Sequence, residues 1–513
     1  MKRQILVMAI GGILPASLPA QTFDGVKESI RQHMQAHDIP AVAVAVWQDG
    51  RILWEQGFGW ADRENRISAT EHTTFNLASV SKSLTAVGLM TLVQGGKVDL
   101  DAPANDYLGE EALKSWIGDP KAITVRRLLN HTAGLPGGDE TFYGEDVRNM
   151  PPRSEAVHRY AIGVAPAGER YLYSNFGYGA LGALIERVSG RSFEDFMHRA
   201  VFLPLGMTHS AVNLPPQLEK HQAVRYDFDR KPIPYYLSNE PAAGAIYSSA
   251  HDMARLGMFL LKDRLADQRA ILTERSIDRL TEQPVDEHAS PVQPASPKGP
   301  GYAQGWGVNT RGGYRLIGHT GGQSGVSTNF RLVPERRLGA VVLTNADDGA
   351  GSLCDQLLQS VLKDWRDPPR KVDAEDDSAD EAFRPTAALV GTWQGIVHAD
   401  GAELPMRMKI LPSGDIHVRI GEEPRYTRRS TVRQEALLNE AKLEQGVLTG
   451  TTLAQIETPR TKRHPHTTTV RLKLRGEALN GAVTAESTYE GFWIYSLPYW
   501  TELRRVAGVE SGG

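Results

Sequence analysis

The sequence has only one cysteine, Cys354, among its 513 residues. A single thiol cannot form an internal disulfide and supplies too few ligands for a cysteine-based zinc site. The chain also has little excess of either charge, because 57 Lys and Arg stand against 61 Asp and Glu for a formal net charge of −4. We therefore expect no metal site and no nucleic-acid partner, since nucleic-acid binding depends on a basic excess.

The N-terminus lacks a hydrophobic run long enough to cross a membrane. A basic start, MKRQ, precedes the ten apolar or small residues ILVMAIGGIL and the stretch PASLPA, which ends at Ala20. A spanning helix needs about 20 apolar residues, whereas this shorter pattern is typical of a secretory signal peptide. We predict that residues 1–20 are a signal peptide, and that the protein is exported, periplasmic or secreted, without a stable membrane anchor.

The patterns between residues 21 and 368 predict one α+β domain. Asp49-Gly50 between two apolar runs indicates a β-hairpin, and helical patterns follow around 79–94, 175–188, 193–202 and 249–261. Near the end, RLGAVVLTNAD is typical of a buried strand and GSLCDQLLQSVLKDW of a helix. This order predicts an antiparallel sheet that joins both ends of the domain and is flanked by helices, plus an all-helical part.

The composition changes in the last third of the chain. RKVDAEDDSADEAFRP is acidic and almost free of large apolar residues, which predicts a solvated linker over residues 369–384. Beyond it, Met406, Met408 and Ile410 alternate with polar residues, as half-buried antiparallel strands do. We predict a separate small antiparallel β-barrel-like domain over residues 385–513.

A lysine stands at the start of an otherwise apolar helical segment. Nearly every residue from Leu84 to Val93 is apolar, which predicts a helix buried on all sides, yet Lys82 lies three residues after Ser79. Residues three apart share one face of a helix, and a lysine whose pKa is lowered by burial can accept the serine proton. Alternatively, Ser79 caps the helix and Lys82 extends its charged end to solvent.

Two later segments carry matching motifs. ERYLYSNFGYG places Tyr173 and Asn175 directly before a helix, and YRLIGHTGGQSG places His319, Thr320 and Gly321 after a predicted strand. With the Ser-x-x-Lys motif, in this order, the chain resembles the superfamily of serine β-lactamases and penicillin-binding proteins. The group that it resembles is the one related to class C β-lactamases.

The resemblance extends beyond the three motifs. The stretches ITVRRLLNHTAGLP, VFLPLGM and PAAGAIYSSAHDMARL add to it, and it covers roughly residues 22–366. The predicted C-terminal domain loosely resembles the lipocalin-like domain that some members carry. That domain implies possible oligomer assembly, or binding of a lipid or glycan.

The resemblance also implies a role for each motif residue. Ser79 would be the nucleophile that forms an acyl-enzyme, Lys82 would share its proton, and Tyr173 would act as general base and then as acid. Asn175 would hold Lys82 and the substrate amide. The backbone N–H groups of Ser79 and Gly322 would form the oxyanion hole, and no metal or cofactor would be needed.

His319 departs from the lysine that many β-lactamases and transpeptidases have at this place. Lysine holds a substrate carboxylate, whereas histidine is mostly uncharged at neutral pH. Relatives with histidine include esterases and D-amino-acid peptidases, so His319, Thr320 and Gly321 would bind a substrate of that kind. We therefore predict an exported serine hydrolase that cleaves D-amino-acid-containing peptides or small acyl esters. The alternatives are a β-lactamase and a penicillin-recognising binding protein with slow or absent turnover.

Overall fold

The structure is a computed structural model. It describes residues 23–215, 218, 220–286, 288, 290, 300–366, 383–422, 435–489 and 492–506. The predicted signal peptide and residues 369–382 of the predicted linker lie outside the described residues. A search of the described residues finds no helix long and apolar enough to span a membrane.

Helices occur mainly in the middle of the chain. The α-helices of the described residues are Asp24–Ala36, Ser81–Gln94, Asn105–Leu108, Val125–Leu129, Arg153–Tyr160, Asn175–Ser189, Phe193–Met197, Pro241–Gly244, Ala250–Leu260, Glu274–Arg279 and Ala350–Val361. The helices predicted around 79–94, 175–188 and 249–261 are confirmed to within one or two residues, whereas the helix predicted for GSLCDQLLQSVLKDW ends at Val361. The segment predicted as one helix over 193–202 is α-helical only to Met197 and continues as a π-helix over His198–Phe202.

An eight-stranded sheet joins the two ends of the first part of the chain. Its strands, in spatial order, are Gly301–Tyr302, Gly307–Arg311, Tyr314–Gln323, Val326–Val333, Leu338–Thr344, Ala41–Gln48, Arg51–Asp62 and Ile67–Ser68. Val42 pairs with Phe58 on one side and with Thr344 on the other, all antiparallel. The predicted Asp49-Gly50 turn has positive φ angles of 50° and 73°, as a tight hairpin turn requires. The α+β prediction is confirmed.

The helix Ser81–Gln94 is buried almost throughout its length. Its residues from Ser81 to Met90 are all buried, so the apolar pattern correctly predicted burial on every side. A side chain at Gly88 would meet the sulfur of Met197 at 2.6 Å, so this helix packs closely against its neighbour. The packing fixes the helix that carries Lys82.

A second antiparallel sheet forms a nearly closed barrel in the C-terminal part. Its strands, in spatial order, are Ala436–Leu437, Ile416–Ile420, Ala402–Ile410, Gly391–Ala399, Phe492–Arg505, Ala478–Tyr489, Thr467–Arg475, Val447–Thr452 and Asn439–Glu444. The first and last of these strands are separated in the chain only by Leu438. Met406, Met408 and Ile410 are buried, as the period-two pattern predicted. The barrel-like sheet is therefore confirmed, while its lipocalin character stays a prediction.

One strand of the first part of the chain pairs with the barrel. Asp139–Tyr143 pairs with the barrel strand Phe492–Arg505, so that Glu140 lies opposite Tyr495. Thr141 Oγ1 also donates a hydrogen bond to the carbonyl oxygen of Trp493, at 2.8 Å. Sequence periodicity gave no sign of this pairing, and independent folding of the two parts stays a prediction.

Candidate active site

Ser79 lies in a short 3-10 turn, Ala78–Val80, that leads directly into the helix Ser81–Gln94. The preceding Ala78 has a positive φ of 44°, a conformation that residues other than glycine rarely adopt. Its N–H donates to Asn76 Oδ1 at 2.7 Å, which supports the turn. Thr328 Oγ1 donates to the Leu77 carbonyl oxygen at 2.9 Å and ties the turn to the sheet. Ser79 is thus presented on a strained, anchored turn.

Lys82 is fully buried beside Ser79. Its Nζ donates to Ser79 Oγ at 3.2 Å and to the carbonyl oxygen of Ala243 at 2.9 Å. Burial lowers the pKa of Lys82 to about 7, although the charges of Asp139 and Glu240 act in the opposite direction. The alternative in which Lys82 extends to solvent is therefore wrong, and a substantial fraction of Lys82 is neutral near pH 7.

Tyr173 covers the other side of the lysine. The Lys82 Nζ lies 4.7 Å from the centroid of the Tyr173 ring. Burial raises the pKa of Tyr173 well above its ordinary value, and a hydrogen bond with Ser79 offsets only part of that effect. Tyr173 therefore starts as a neutral phenol, in contact with both predicted partners.

His131 holds the segment that carries Tyr173. Its Nδ1 accepts the N–H of Ser174 at 3.1 Å, its carbonyl oxygen accepts the N–H of Leu172 at 2.7 Å, and its ring centroid lies 4.3 Å from that of Tyr173. Burial lowers the pKa of His131 well below its ordinary value, so the ring is neutral. His131 was not among the predicted site residues, although the stretch HTAGLP contains it.

Ser79, Asn175 and Gly322 line one small cavity, together with Asp139 and Glu240. Asn175 starts the helix Asn175–Ser189, and its Oδ1 is buried without a hydrogen-bond partner among the described residues. We expected Asn175 to hold Lys82, but the structure gives that hydrogen bond to the Ala243 carbonyl oxygen instead. Asn175 Oδ1 can therefore accept a hydrogen bond from a substrate without breaking one to another described residue.

Two acidic residues adjoin this cavity that the sequence patterns did not indicate. Glu240 is only 1% exposed, and burial together with the charge of Asp139 raises the pKa of Glu240 to about 8. Burial also raises the pKa of Asp139, whose Oδ1 accepts a hydrogen bond from Trp493 Nε1 at 2.7 Å. Neither acid belongs to a local motif, because they come from distant parts of the chain.

His319 and Thr320 line a second cavity, which Tyr173 also borders. His319 Nδ1 bonds the carbonyl oxygen of Thr320, so the proton sits on Nδ1 and Nε2 accepts the hydroxyl of Tyr302 at 2.9 Å. Burial and the nearby charge of Lys82 lower the pKa of His319 to about 4. His319 is therefore neutral at physiological pH. Gly321 packs so closely on the nucleophile turn that a side chain there would meet the Leu77 carbonyl oxygen at 2.2 Å.

The site thus brings the predicted motif residues to one region, which borders two cavities. Its chemistry is that of acyl transfer to a serine activated by a buried lysine. The chain matches the Beta-lactamase family over residues 26–362. It belongs to the β-lactamase family. The predicted superfamily is confirmed, whereas the role of each residue stays a prediction.

Two curated relatives of this β-lactamase family member are similar over much of its length. "Penicillin-binding protein 4*" of Bacillus subtilis is 27% identical over 375 residues, which cover 66% of this chain and 76% of the relative. "Protein flp" of Staphylococcus aureus is 26% identical over 330 residues, which cover 62% of each chain. The chain therefore spans less than two thirds of the flp protein.

Solved structures share the fold. SurE with D-Leu has a TM-score of 0.59 and 22% identity, and covers 94% of this chain and 99% of its own. An octameric penicillin-binding protein homologue from Pyrococcus abyssi has a TM-score of 0.56 and 22% identity, and the match covers 93% of this chain and 99% of the homologue. A class C β-lactamase from Rhodobacter sphaeroides has a TM-score of 0.53 and 21% identity, and the match covers 66% of this chain and 99% of the β-lactamase. Because the first two matches cover more than nine tenths of this chain, they extend into the C-terminal barrel.

Proposed function

We propose that this protein is an exported serine hydrolase that acts through an acyl-enzyme on Ser79 and cleaves D-amino-acid-containing peptides or small acyl esters. The observation that carries the proposal is the contact of 3.2 Å between Lys82 Nζ and Ser79 Oγ. A lysine with its pKa near 7 supplies a neutral amine at working pH. Among the described residues, no other group of the site combines this position with this pKa.

The proposed reaction begins when Ser79 Oγ attacks the substrate carbonyl and loses its proton to Lys82. The N–H groups of Ser79 and Gly322 would stabilise the oxyanion, as electrostatic preorganisation requires. Because Tyr173 starts as a neutral phenol, it would pass a proton from Lys82 to the leaving group as a hydrogen-bonded relay rather than act as a phenolate. Water then attacks the acyl-enzyme by the reverse proton path and restores Ser79.

Two observations support the substrate class. His319 is neutral and already bonded to Tyr302, and Arg331, a permanent cation that lines the second cavity, is paired with Asp355. Neither residue is therefore a free cation for a substrate carboxylate. The fold is also shared with SurE, whose structure was solved with D-Leu. We further propose that the protein is exported, because residues 1–20 have the pattern of a signal peptide. The octameric relative from Pyrococcus abyssi supports an oligomer assembled with the help of the C-terminal domain.

A panel of three chromogenic substrates tests the proposal. We expect p-nitrophenyl acetate and D-alanine p-nitroanilide to be hydrolysed with a kcat/KM at least about tenfold above that for nitrocefin, a difference of about 1.4 kcal/mol in transition-state binding. L-alanine p-nitroanilide is the matched control for chirality. Preference for nitrocefin would instead favour a β-lactamase. A stable band with fluorescent penicillin and no turnover of any substrate would favour a binding protein.

Replacing His319 with lysine should shift the preference towards substrates with a carboxylate on the leaving group. The new ammonium stays charged and can form a charge-assisted hydrogen bond, which is worth about 1.5–3 kcal/mol. We therefore expect the ratio of kcat/KM for a carboxylated ester to that for its neutral analogue to rise about tenfold. His319→Gln is the uncharged control and should leave the ratio unchanged. A ratio that is the same in all three proteins would place the leaving group elsewhere.

A further inference from the structure

The cavity beside Ser79 is unusual in what its side chains offer. Asp139, Glu240 and Asn175 all present oxygen acceptors to it. Glu240 Oε1 and Asn175 Oδ1 are both buried and have no hydrogen-bond partner among the described residues. Two unpartnered buried acceptors in one cavity are costly unless a ligand supplies the donors.

Three hydroxyl groups of the same cavity, on Ser238, Thr141 and Tyr236, do not meet this demand, because their protons are already used. Ser238 Oγ donates to Glu240 Oε2 at 3.0 Å, and Thr141 Oγ1 donates to the backbone of Trp493 at 2.8 Å. Tyr236 donates its hydroxyl to Gln323 Oε1 at 2.5 Å. The donors that line the cavity thus leave Glu240 Oε1 and Asn175 Oδ1 without a partner among the described residues, which favours a ligand rich in N–H groups.

The electrostatics select a cation among such ligands. Burial raises the pKa of both acids, and the charge of Asp139 raises the pKa of Glu240 further. Lys82 compensates only in part, because its own pKa is lowered to about 7. A bound cation would favour the charged form of both acids by direct attraction.

The position of the cavity decides which half of the substrate enters it. Tyr173, the proposed proton donor to the leaving group, borders the cavity of His319 rather than the acidic one. A leaving group must lie next to its proton donor, so it occupies the cavity of His319. The acyl half is then left for the acidic cavity beside Ser79.

We propose that this acidic cavity is a subsite for a primary ammonium group on the acyl half of the substrate, as an unblocked N-terminal D-amino acid carries. The inference deepens the proposed function and rests on it for the assignment of the two substrate halves. Asp139 and Glu240 would form ion pairs with the ammonium, and Asn175 would accept its third N–H. The class of reaction is therefore removal of an N-terminal D-residue, in preference to cleavage at a blocked one.

The C-terminal barrel takes part in this subsite through Trp493. Trp493 Nε1 holds Asp139 Oδ1 at 2.7 Å, and the Trp493 N–H donates to Ser324 Oγ at 2.9 Å. The barrel strand is thus hydrogen-bonded to one lining residue, Asp139, and to Ser324, which follows the lining residue Gln323. Trp493 is a positioning residue, which orients one carboxylate without touching the reacting atoms.

The test compares an amine with its acetylated form, both by binding and by turnover. Calorimetry on Ser79→Ala protein should show D-alaninamide binding at least about tenfold more tightly than N-acetyl-D-alaninamide, since one charge-assisted contact contributes that much. The wild type should likewise prefer D-alanine p-nitroanilide over its N-acetyl form by at least about tenfold. In Asp139→Asn and Glu240→Gln, both preferences should fall to about threefold or less. Asp146→Asn removes an acid outside the cavity and is the matched control.

The outcomes separate this inference from the proposed function. If the acetylated ligand binds Ser79→Ala protein as well as the amine does, the ammonium subsite is wrong, even where wild-type turnover of esters persists. Equal losses on the amine and the acetylated substrate in Glu240→Gln would also overturn it, because they would mean that Glu240 acts only on Lys82. Failure of the wild type to acylate Ser79 would instead remove the proposed function, while the binding comparison would still decide the subsite.

Discussion

Replacing Ser79 with alanine is expected to abolish covalent labelling by a fluorophosphonate probe and to lower ester turnover by about 10⁴-fold or more. Loss of a serine nucleophile removes the acyl-enzyme route and leaves only the contribution of binding and the oxyanion hole. Intact-protein mass spectrometry after incubation with the probe measures the label directly. The buried turn needs no hydroxyl for its backbone hydrogen bonds, so the variant should retain the wild-type melting temperature.

Ser324→Ala is the matched control, because Ser324 also lies near the cavity, in the turn between two strands of the sheet. Its hydroxyl accepts the N–H of Trp493 and has no lysine beside it among its described contacts. We expect Ser324→Ala protein to remain labelled at Ser79. A folded Ser79→Ala protein that still takes up one equivalent of probe would show that the nucleophile is another residue.

Replacing Lys82 with arginine should lower kcat/KM by about 10²–10⁴-fold, the usual contribution of a general base. Arginine keeps a positive charge at every accessible pH and cannot accept the Ser79 proton. In the wild type the active form has neutral Lys82, so activity should be lost as the pH falls through about 7 and regained as it rises. Measurement of kcat/KM from pH 5 to pH 9 with a neutral ester resolves this acidic limb.

Asp139→Asn adds a sign test for the same limb. The charge of Asp139 raises the pKa of Lys82, so its removal should move the limb to lower pH. Lys97→Arg, the same change at an exposed position after the helix, is the control and should leave the profile unaltered. An acidic limb that persists unchanged in Lys82→Arg protein would exclude Lys82 as its origin.

The sequence predicted those parts of the fold and site that depend on neighbours in the chain. Ser79 and Lys82 are three residues apart, so helical geometry alone brings them together. The burial of their helix follows from its apolar pattern, and the barrel strands follow from the period-two alternation of Met406, Met408 and Ile410. Such local patterns predict the structure correctly because the apolar face of each helix or strand is the face that packs against the core.

Other parts had no local pattern to reveal them. His131 contacts the segment that carries Tyr173 although 43 positions separate His131 from Ser174 in the sequence. Asp139 meets Trp493 across a separation of 354 residues, and Glu240 reaches the same cavity from a third segment. Each is a single residue whose role depends on tertiary contacts. The one available signal was a charged residue inside an otherwise apolar stretch, as in SNEPAAGAIY for Glu240.

The contact between Asp139 and Trp493 affects the order in which parts of the active site form during synthesis. The turn that holds Ser79 needs the strand Val326–Val333, whereas the wall of the acidic cavity needs Trp493, which is synthesised 169 residues after Ser324. Chains fold from the N-terminus as they leave the ribosome. A nascent chain can therefore assemble its nucleophile and lysine well before it can position Asp139. Selectivity for the substrate would be acquired last, after the capacity to form an acyl-enzyme.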